Sequence, residues 1–493
     1  MIRWTAALVI VLCTNVTAAD DKTLRIGLFY GNPNPFRAIT YSPYAVHPLQ
    51  FDALVDLDSK GQVIPALATS WRAENETAWV FELRAGVAFS NGEPCDAAAV
   101  VATLDFLRSN DGRIAAAQRE TRSIVSARAR GPLTVEIKTL QPDAMLPGKL
   151  FSAKIMPPRY LADVGIGGIE RKPIGTGPFI ELERADARVK FKAYRESWRA
   201  PKIDGVDLIM TQNPTVRIQA LRARQIDLAF DIKPEDAELL QGEGMTIVSH
   251  PIAAVSVVQF ITNKNTPLSD SRVRRALNYA IDKDAIVRQL LRGQAVVARQ
   301  FTPSYAFGAI PNPPEPFPYD PARARALLTE AGYPDGFSMT VELVGSFDNV
   351  VHEQIAAELR KIGVDVILRP QATPEFTSRL FNNQWEGDAF DYGYIVFPSL
   401  DSLAPLRLHS CLNPKPWHCD RQVADLMVAA DAEFDLGRRR ALTEQVMRLM
   451  IDDPPGILLT EGYRSYAALP HVVGLEAPMG LIRYEKIDFG AVR

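Results

Sequence analysis

The chain lacks an apolar run of the roughly 20 residues needed to cross a bilayer, and it has almost no net charge. Its 55 Lys and Arg stand against 58 Asp and Glu, a formal charge of -3. There is no basic excess to grip nucleic acid or an anionic membrane. The six histidines are dispersed and form no His-Glu-x-x-His zinc motif. No Gly-x-Ser-x-Gly nucleophile elbow occurs. The scattered prolines and glycines make no low-complexity tract, and no repeat of about 20–50 residues is visible. A hydrolase built on two carboxylates needs no local motif, so that alternative stays open. The pair Asp452-Asp453, however, precedes Pro454-Pro455, where a helix end is expected.

What is present begins with a leader. Arg3 precedes a mostly apolar stretch, Trp4 to Cys13, and then Val16-Thr17-Ala18 and Thr17-Ala18-Ala19 offer small residues for cleavage near Ala18 or Ala19. Cys13 follows Leu12, which is not the small residue that lipoprotein processing favours. Residues 1–19 are therefore expected to be a signal peptide and the remainder an exported, periplasmic protein. Export governs the cysteines, because an oxidising compartment favours disulfides. Cys411 and Cys419 flank a short loop with Pro414 and Pro416 and are expected to be bonded, leaving Cys95 buried and structural. A rival reading has His409, Cys411, His418 and Cys419 holding zinc, although their spacing fits no standard finger.

At 493 residues the chain exceeds one hydrophobic core. Strands are expected at 24–30, 79–83, 134–138, 179–182, 207–210, 226–230, 255–262, 339–343, 364–369, 392–397 and 456–460. Between them lie helical patterns with cap signals. Asp96 precedes a helix to Arg108, and Pro214 opens one to about Arg224. Asp270 or Ser271 precedes a helix at 272–281, and Asp282 one ending near Gly293. Asp320-Pro321 opens a helix that Gly332 closes, and Gly363 closes one at 349–362. Two more are expected near 423–434 and 438–451. Pro173-Ile174-Gly175-Thr176-Gly177-Pro178 lacks the end of a phosphate-binding loop and reads as a tight turn where two backbones approach. Alternating strands and helices imply α/β domains with parallel or mixed sheets.

Several stretches, in this order, resemble one family over nearly the whole mature chain. They are Ile64-Pro65-Ala66-Leu67-Ala68-Thr69-Ser70-Trp71 with Trp79 to Gly92, then Pro173 to Phe179, then Asp270 to Asp282, then Tyr319-Asp320-Pro321 with Ala326-Leu327-Leu328 and Ala331-Gly332. The chain resembles the family 5 solute-binding proteins of peptide and nickel ABC importers. The resemblance implies a two-lobed periplasmic binding protein fold (type II, cluster C-like) with an extra inserted domain. Lobe I would take residues 20–47, 172–262 and 466–493, the inserted domain 48–171, and lobe II 263–465, with hinges near 262 and 465. It implies capture of a small peptide-like or related polar solute (peptide, opine-like conjugate, sugar or metal chelate) between the lobes, delivery to an inner-membrane permease, no cofactor, no enzymatic activity and a monomeric state. A ligand-loaded co-receptor for a membrane sensor would show the same sequence.

The resemblance also locates a ligand site. Peptide-binding members often anchor the ligand ammonium on an aspartate just after an aromatic strand. Here that strand is Tyr392-Gly393-Tyr394-Ile395-Val396-Phe397, and the anchor position falls near Ser399 or Leu400, neither of them acidic. Asp401 is the nearby acid, with ligand anchoring and helix capping as its alternative roles. Asn32, Asn34 and Phe36 lie on the first loop. Trp385, Tyr392, Tyr394, Phe397 and Trp417 could wall the pocket, and Arg379 and Arg407 could meet a carboxylate. Packing or solvation competes with contact for each of them. Trp71, Trp79 and Phe81 are expected in the core; Arg272, Arg274 and Arg275 are expected on a solvated face, with pairing to acids or a docking face as alternatives.

Overall fold

A computed structural model describes residues 22–29, 43–114, 116–185, 187–211, 213–345 and 349–490. The leader at 1–19, Cys13 and the first-loop candidates Asn32, Asn34 and Phe36 lie outside the described residues. Among the described residues no helix is long and apolar enough to cross a membrane.

A mixed twelve-stranded sheet forms the spine. One half orders the strands Val364–Gln371, Phe337–Val344 and Ala389–Asp391. The other half orders Leu228–Ala229, Thr23–Leu28, Gly205–Met210, Arg188–Ala193 and Phe179–Ala185. Between them run two long antiparallel partners, Thr246–Phe260 and Gly456–Ala468, of 15 and 13 residues. A typical strand has about 5–6 residues. These are longer because each serves both halves. Ala468 pairs with Thr246 and with Leu228 at one end, while Val258 pairs with Ile457 and with Asp391 at the other. Their register shifts between Pro251 and Val255 and again between Val255 and Val257, as expected where a proline withholds its ladder donor. The sequence-based strands at 255–262 and 456–460 are thus only the ends of these ribbons, because His250-Pro251 and Glu461-Gly462 interrupt the apolar pattern.

A separate four-stranded antiparallel sheet comprises Ala68–Asn75, Ala78–Leu83, Thr134–Thr139 and Ile124–Gly131. Helix Ala97–Arg108 packs on it, and Asp96 caps that helix by accepting from the N–H groups of Ala98 and Ala99. Phe81, Phe89, Val100, Leu104, Val135 and Ile137 fill this core. The C-terminal half of the spine buries Val273, Leu277, Leu328, Val341, Ile355 and Leu359 against its sheet. Asp270, rather than Ser271, caps helix Ser271–Tyr279, and Asp320 caps helix Pro321–Glu330. Gly332 and Gly363 follow their helices at φ +92° and +85°, the left-handed conformation a helix end favours.

Other expectations change. The helix after Asp282 is a short turn, Lys283–Ala285, followed by a π-helical turn, Ile286–Leu290. The aromatic strand at 392–397 is two pieces, Ala389–Asp391 and Tyr394–Ile395. Gly393 lies between them, and a Cβ there would stand 2.8 Å from the Val255 carbonyl oxygen. Arg274 is not on a solvated face. It is buried, donating to the carbonyls of Pro454, Leu268 and Ser269 and paired with Asp453.

Candidate ligand site

The four-stranded unit and the C-terminal half of the spine meet around the segment Val396 to Asp401. Val396 N–H donates to the Ala253 carbonyl (2.9 Å), tying the segment to the irregular part of the long strand. Phe397 precedes a cis proline, Pro398, and Leu400 takes φ +52°. The Leu400 carbonyl accepts from Phe307 N–H at 2.8 Å. Across the junction the Phe397 ring packs edge-on against Phe151, centroids 5.4 Å apart. A Cβ on Gly148 would lie 3.4 Å from the Ser399 carbonyl oxygen, and one on Gly61 would lie 2.6 Å from Leu400 Cδ1. Gly148 and Gly61 thus lie close against this segment from the opposing unit.

Polar groups at this junction are unevenly satisfied. Ser399, at the position expected of the family's anchoring aspartate, is buried, and its Oγ has no hydrogen-bond partner. Burial pushes the Glu120 carboxyl up, and Lys149 and Arg407 offset this only in part. Arg407 donates to Asp431 at 2.6 Å, and Lys149 is paired with Asp143 at 2.8 Å. On the other side Lys154 lies over the Phe151 ring, its Nζ 3.9 Å from the centroid.

Asp401 does not face this space. It is fully buried, with Oδ2 2.7 Å from Arg439 Nη2 and Oδ1 accepting from Leu403 N–H at 3.1 Å. Burial pushes its carboxyl up, but Arg439 and Arg407 outweigh that and hold it below the usual range. The acid is an internal ion-pair partner and local cap, so the anchoring role expected of it has no geometric support. Tyr394 and Trp417 are likewise core residues, 1% exposed each. Trp417 donates from Nε1 to Gln259 Oε1, 3.2 Å away, and packs edge-on to Phe390. Trp385 stacks on the other side of that cluster, 4.0 Å from Phe390. Half-buried Tyr392 stacks beside His409. Arg379 is consumed by Glu375 and Glu386. Phe397 and Arg407 are thus the expected side chains that the fold brings to the junction.

Cys411 and Cys419 are joined, with Cα atoms 4.7 Å apart, and Cys95 is free and buried. The bond removes both thiolates from the zinc alternative. His409 Nδ1 instead lies 2.6 Å from Gln259 Oε1, and His418 Nδ1 lies 3.1 Å from Thr262 Oγ1. Sequence reasoning missed Lys149, Lys154, Glu120 and Arg439. Arg439 lies in the run Arg438 to Arg440 and Glu120 between Arg119 and Arg122, where a solvated face is the ordinary reading, and no spacing rule marks the charge that tertiary packing buries.

The model of the bacterial extracellular solute-binding proteins, family 5, matches residues 62–409. The chain belongs to this family. As a family 5 solute-binding protein it is the substrate-binding component of an ABC importer. A glutathione-binding protein, GsiB, of Salmonella paratyphi A is 31% identical over 93% of this chain and 92% of its own length. A nickel-binding periplasmic protein of Escherichia coli is 27% identical, covering 86% of each chain. The solved ABC transporter-associated periplasmic binding protein DppA of Helicobacter pylori, in complex with peptide STSA, superposes with a TM-score of 0.79. It covers 95% of this chain and 98% of its own, at 22% identity. At that identity the likeness establishes the two-lobed fold and nothing finer.

Proposed function

We propose that this solute-binding protein captures a small peptide-like solute bearing a free carboxylate between its lobes. Closure around the solute would present it to an inner-membrane permease. The observation that carries the reading is the junction at 396–401. It joins two units through an aromatic contact and leaves polar groups unmatched, at the kind of interdomain surface where such pockets form. The relationship to a glutathione-binding protein across nearly the whole chain supports a peptide-like ligand. The absence of an acid at Ser399 and Leu400, and the commitment of Asp401 to Arg439, favour recognition through the solute's anionic end over its ammonium.

In this reading lobe I comprises 20–47, 172–262 and 466–493, the inserted domain 48–171, and lobe II 263–465. The hinges lie near residues 262 and 465, where the chain crosses between the lobes. The mature chain starts near Ala19 or Asp20 and acts as a periplasmic monomer without turnover. The test is native mass spectrometry of solute retained on gently purified protein, followed by thermal shifts with reduced glutathione, Ala-Ala and a nickel–histidine chelate. A rise in melting temperature with one of the first two supports the reading. A response to the chelate alone, or hydrolysis of either peptide, contradicts it.

A further inference from the structure

The unit beside the junction contains a compact set of charges. Asp52 is fully employed: Oδ2 accepts from Thr176 Oγ1 (2.7 Å) and Trp198 Nε1 (2.9 Å), and Oδ1 from Arg199 Nε (2.8 Å). Asp56 pairs with Arg483 through Oδ2 and accepts Leu57 N–H through Oδ1 (2.7 Å). Lys154 stands beside these carboxylates, is 8% exposed, and makes neither a hydrogen bond nor an ion pair from Nζ to any described residue. Its packing partner is Phe151, the same ring that meets Phe397 across the junction.

Such an ammonium is in an unusual state. A buried cation without an acceptor carries an uncompensated desolvation penalty. Asp56 and Asp52 attract it more strongly than Arg199 and Arg483 repel it, but without a direct contact they offset the loss of hydration only in part. We propose that Lys154 is the anchor for a carboxylate of the bound solute. The inference rests on the reading of the junction as the solute site. An arriving carboxylate would provide the acceptor that the fold withholds and form a charge-assisted hydrogen bond in a setting of low dielectric. Phe151 fixes the lysine stem on one side. Phe397, packed against that same ring, would shield the new ion pair from water. The unpaired Ser399 hydroxyl on the opposite wall would be available to the same solute.

A structural lysine and a ligand-anchoring lysine differ in what removal does. Lys154→Met keeps the stem over Phe151 and deletes an unmatched charge. The solute-free variant should therefore melt at the same temperature as the parent or higher. Calorimetric titration with reduced glutathione and Ala-Ala should show roughly a ten- to a hundredfold loss of affinity in the variant. The carboxamide of the better solute should bind parent and variant alike. Unchanged affinity for the acid in Lys154→Met overturns the inference while leaving the solute reading intact. A lower melting temperature in both Lys154→Met and Lys154→Gln also overturns it, because the lysine is then part of the scaffold. If the parent protein binds neither acid, the solute reading and this inference fail together.

Discussion

Arg439 shows how completely a side chain's role depends on its neighbours. It is 2% exposed and reaches Asp401, the Ala430 carbonyl and Asp431. Replacing Asp401 by alanine leaves that guanidinium with only the Ala430 carbonyl and the longer 3.4 Å pairing to Asp431, and breaking a buried pair on one side typically costs about 3–5 kcal/mol. Asp401→Ala is therefore expected to lower the urea midpoint strongly, and Asp401→Ala with Arg439→Met to recover much of the loss. Equilibrium unfolding checks both.

Titration of buried histidines is a second matter at this scale. Burial pushes His409 down to about 3 and His418 and His250 down to about 4. His418 adds to the lowering at His409, Arg274 adds to it at His418, and Asp453 and Asp420 oppose it there. At His250, Arg464 lowers and Asp231 and the Pro251 carbonyl raise. The folded state keeps these rings neutral, whereas the unfolded chain takes up protons below about pH 6.5. Their contribution is complete above that value and lost progressively as pH falls toward 4. Urea midpoints at pH 7 and 4.5 should differ accordingly, and the difference should shrink in His418→Asn. Lys154 is likewise pushed down, to about 8, chiefly by burial. Solute affinity should therefore decline as pH rises through about 8, and that decline should be absent in Lys154→Met.

Among the elements, the turn Pro173 to Pro178 is where the sequence was most informative about packing. Gly177 N–H donates to the Gln50 carbonyl at 3.0 Å, and the Gly175 carbonyl accepts from Ser90 N–H at 2.9 Å. A Cβ on Gly175 would collide with the Gln50 carbonyl, and one on Gly177 would come within 2.6 Å of the Leu49 carbonyl oxygen. Gly175→Ala is expected to destabilise by about 1–3 kcal/mol through that clash, measured by the denaturation midpoint. The disulfide loop is the other local element with a clear consequence. Its cysteines are separated by 8 positions, and loop-closure entropy for so short a loop predicts about 2.5 kcal/mol of stabilisation. The loop carries Trp417, whose carbonyl accepts Thr262 N–H at 2.8 Å. Reduction should therefore loosen the end of the long strand as well as the loop, detectable as faster amide exchange at 260–262. Helix starts were legible because Asp96, Asp270, Asp282 and Asp320 each bond the backbone N–H groups that follow them. The continuous run of the two long strands was not, because Pro251 and Gly462 interrupt an apolar pattern that pairing across the whole sheet restores.

For the whole molecule the question is what holds the units together. Beyond Phe151 and Phe397, the Trp79 ring approaches Phe434 with centroids 5.8 Å apart, and Arg119 lies 5.6 Å from the Phe381 ring. These contacts join the four-stranded unit to the C-terminal half while leaving the separate cores intact. Phe434→Ala should therefore shift the population toward an open form. Small-angle scattering should give a larger radius of gyration for the solute-free variant, and titration a weaker affinity with little change in melting temperature. A solute-induced decrease in radius that is equal in parent and variant would remove this contact from closure. The sequence by itself determined the α/β class, the helix caps, the backbone approach at Gly175 and Gly177, the cysteine pairing and the family. All of these are carried by local residue chemistry or by ordered motifs. Only the tertiary structure decided which charges are matched. It gave Asp401 to Arg439, placed Trp417 and Tyr394 in the core and left Lys154 without an acceptor. Burial and pairing depend on segments far apart in the chain, and no local pattern encodes their meeting.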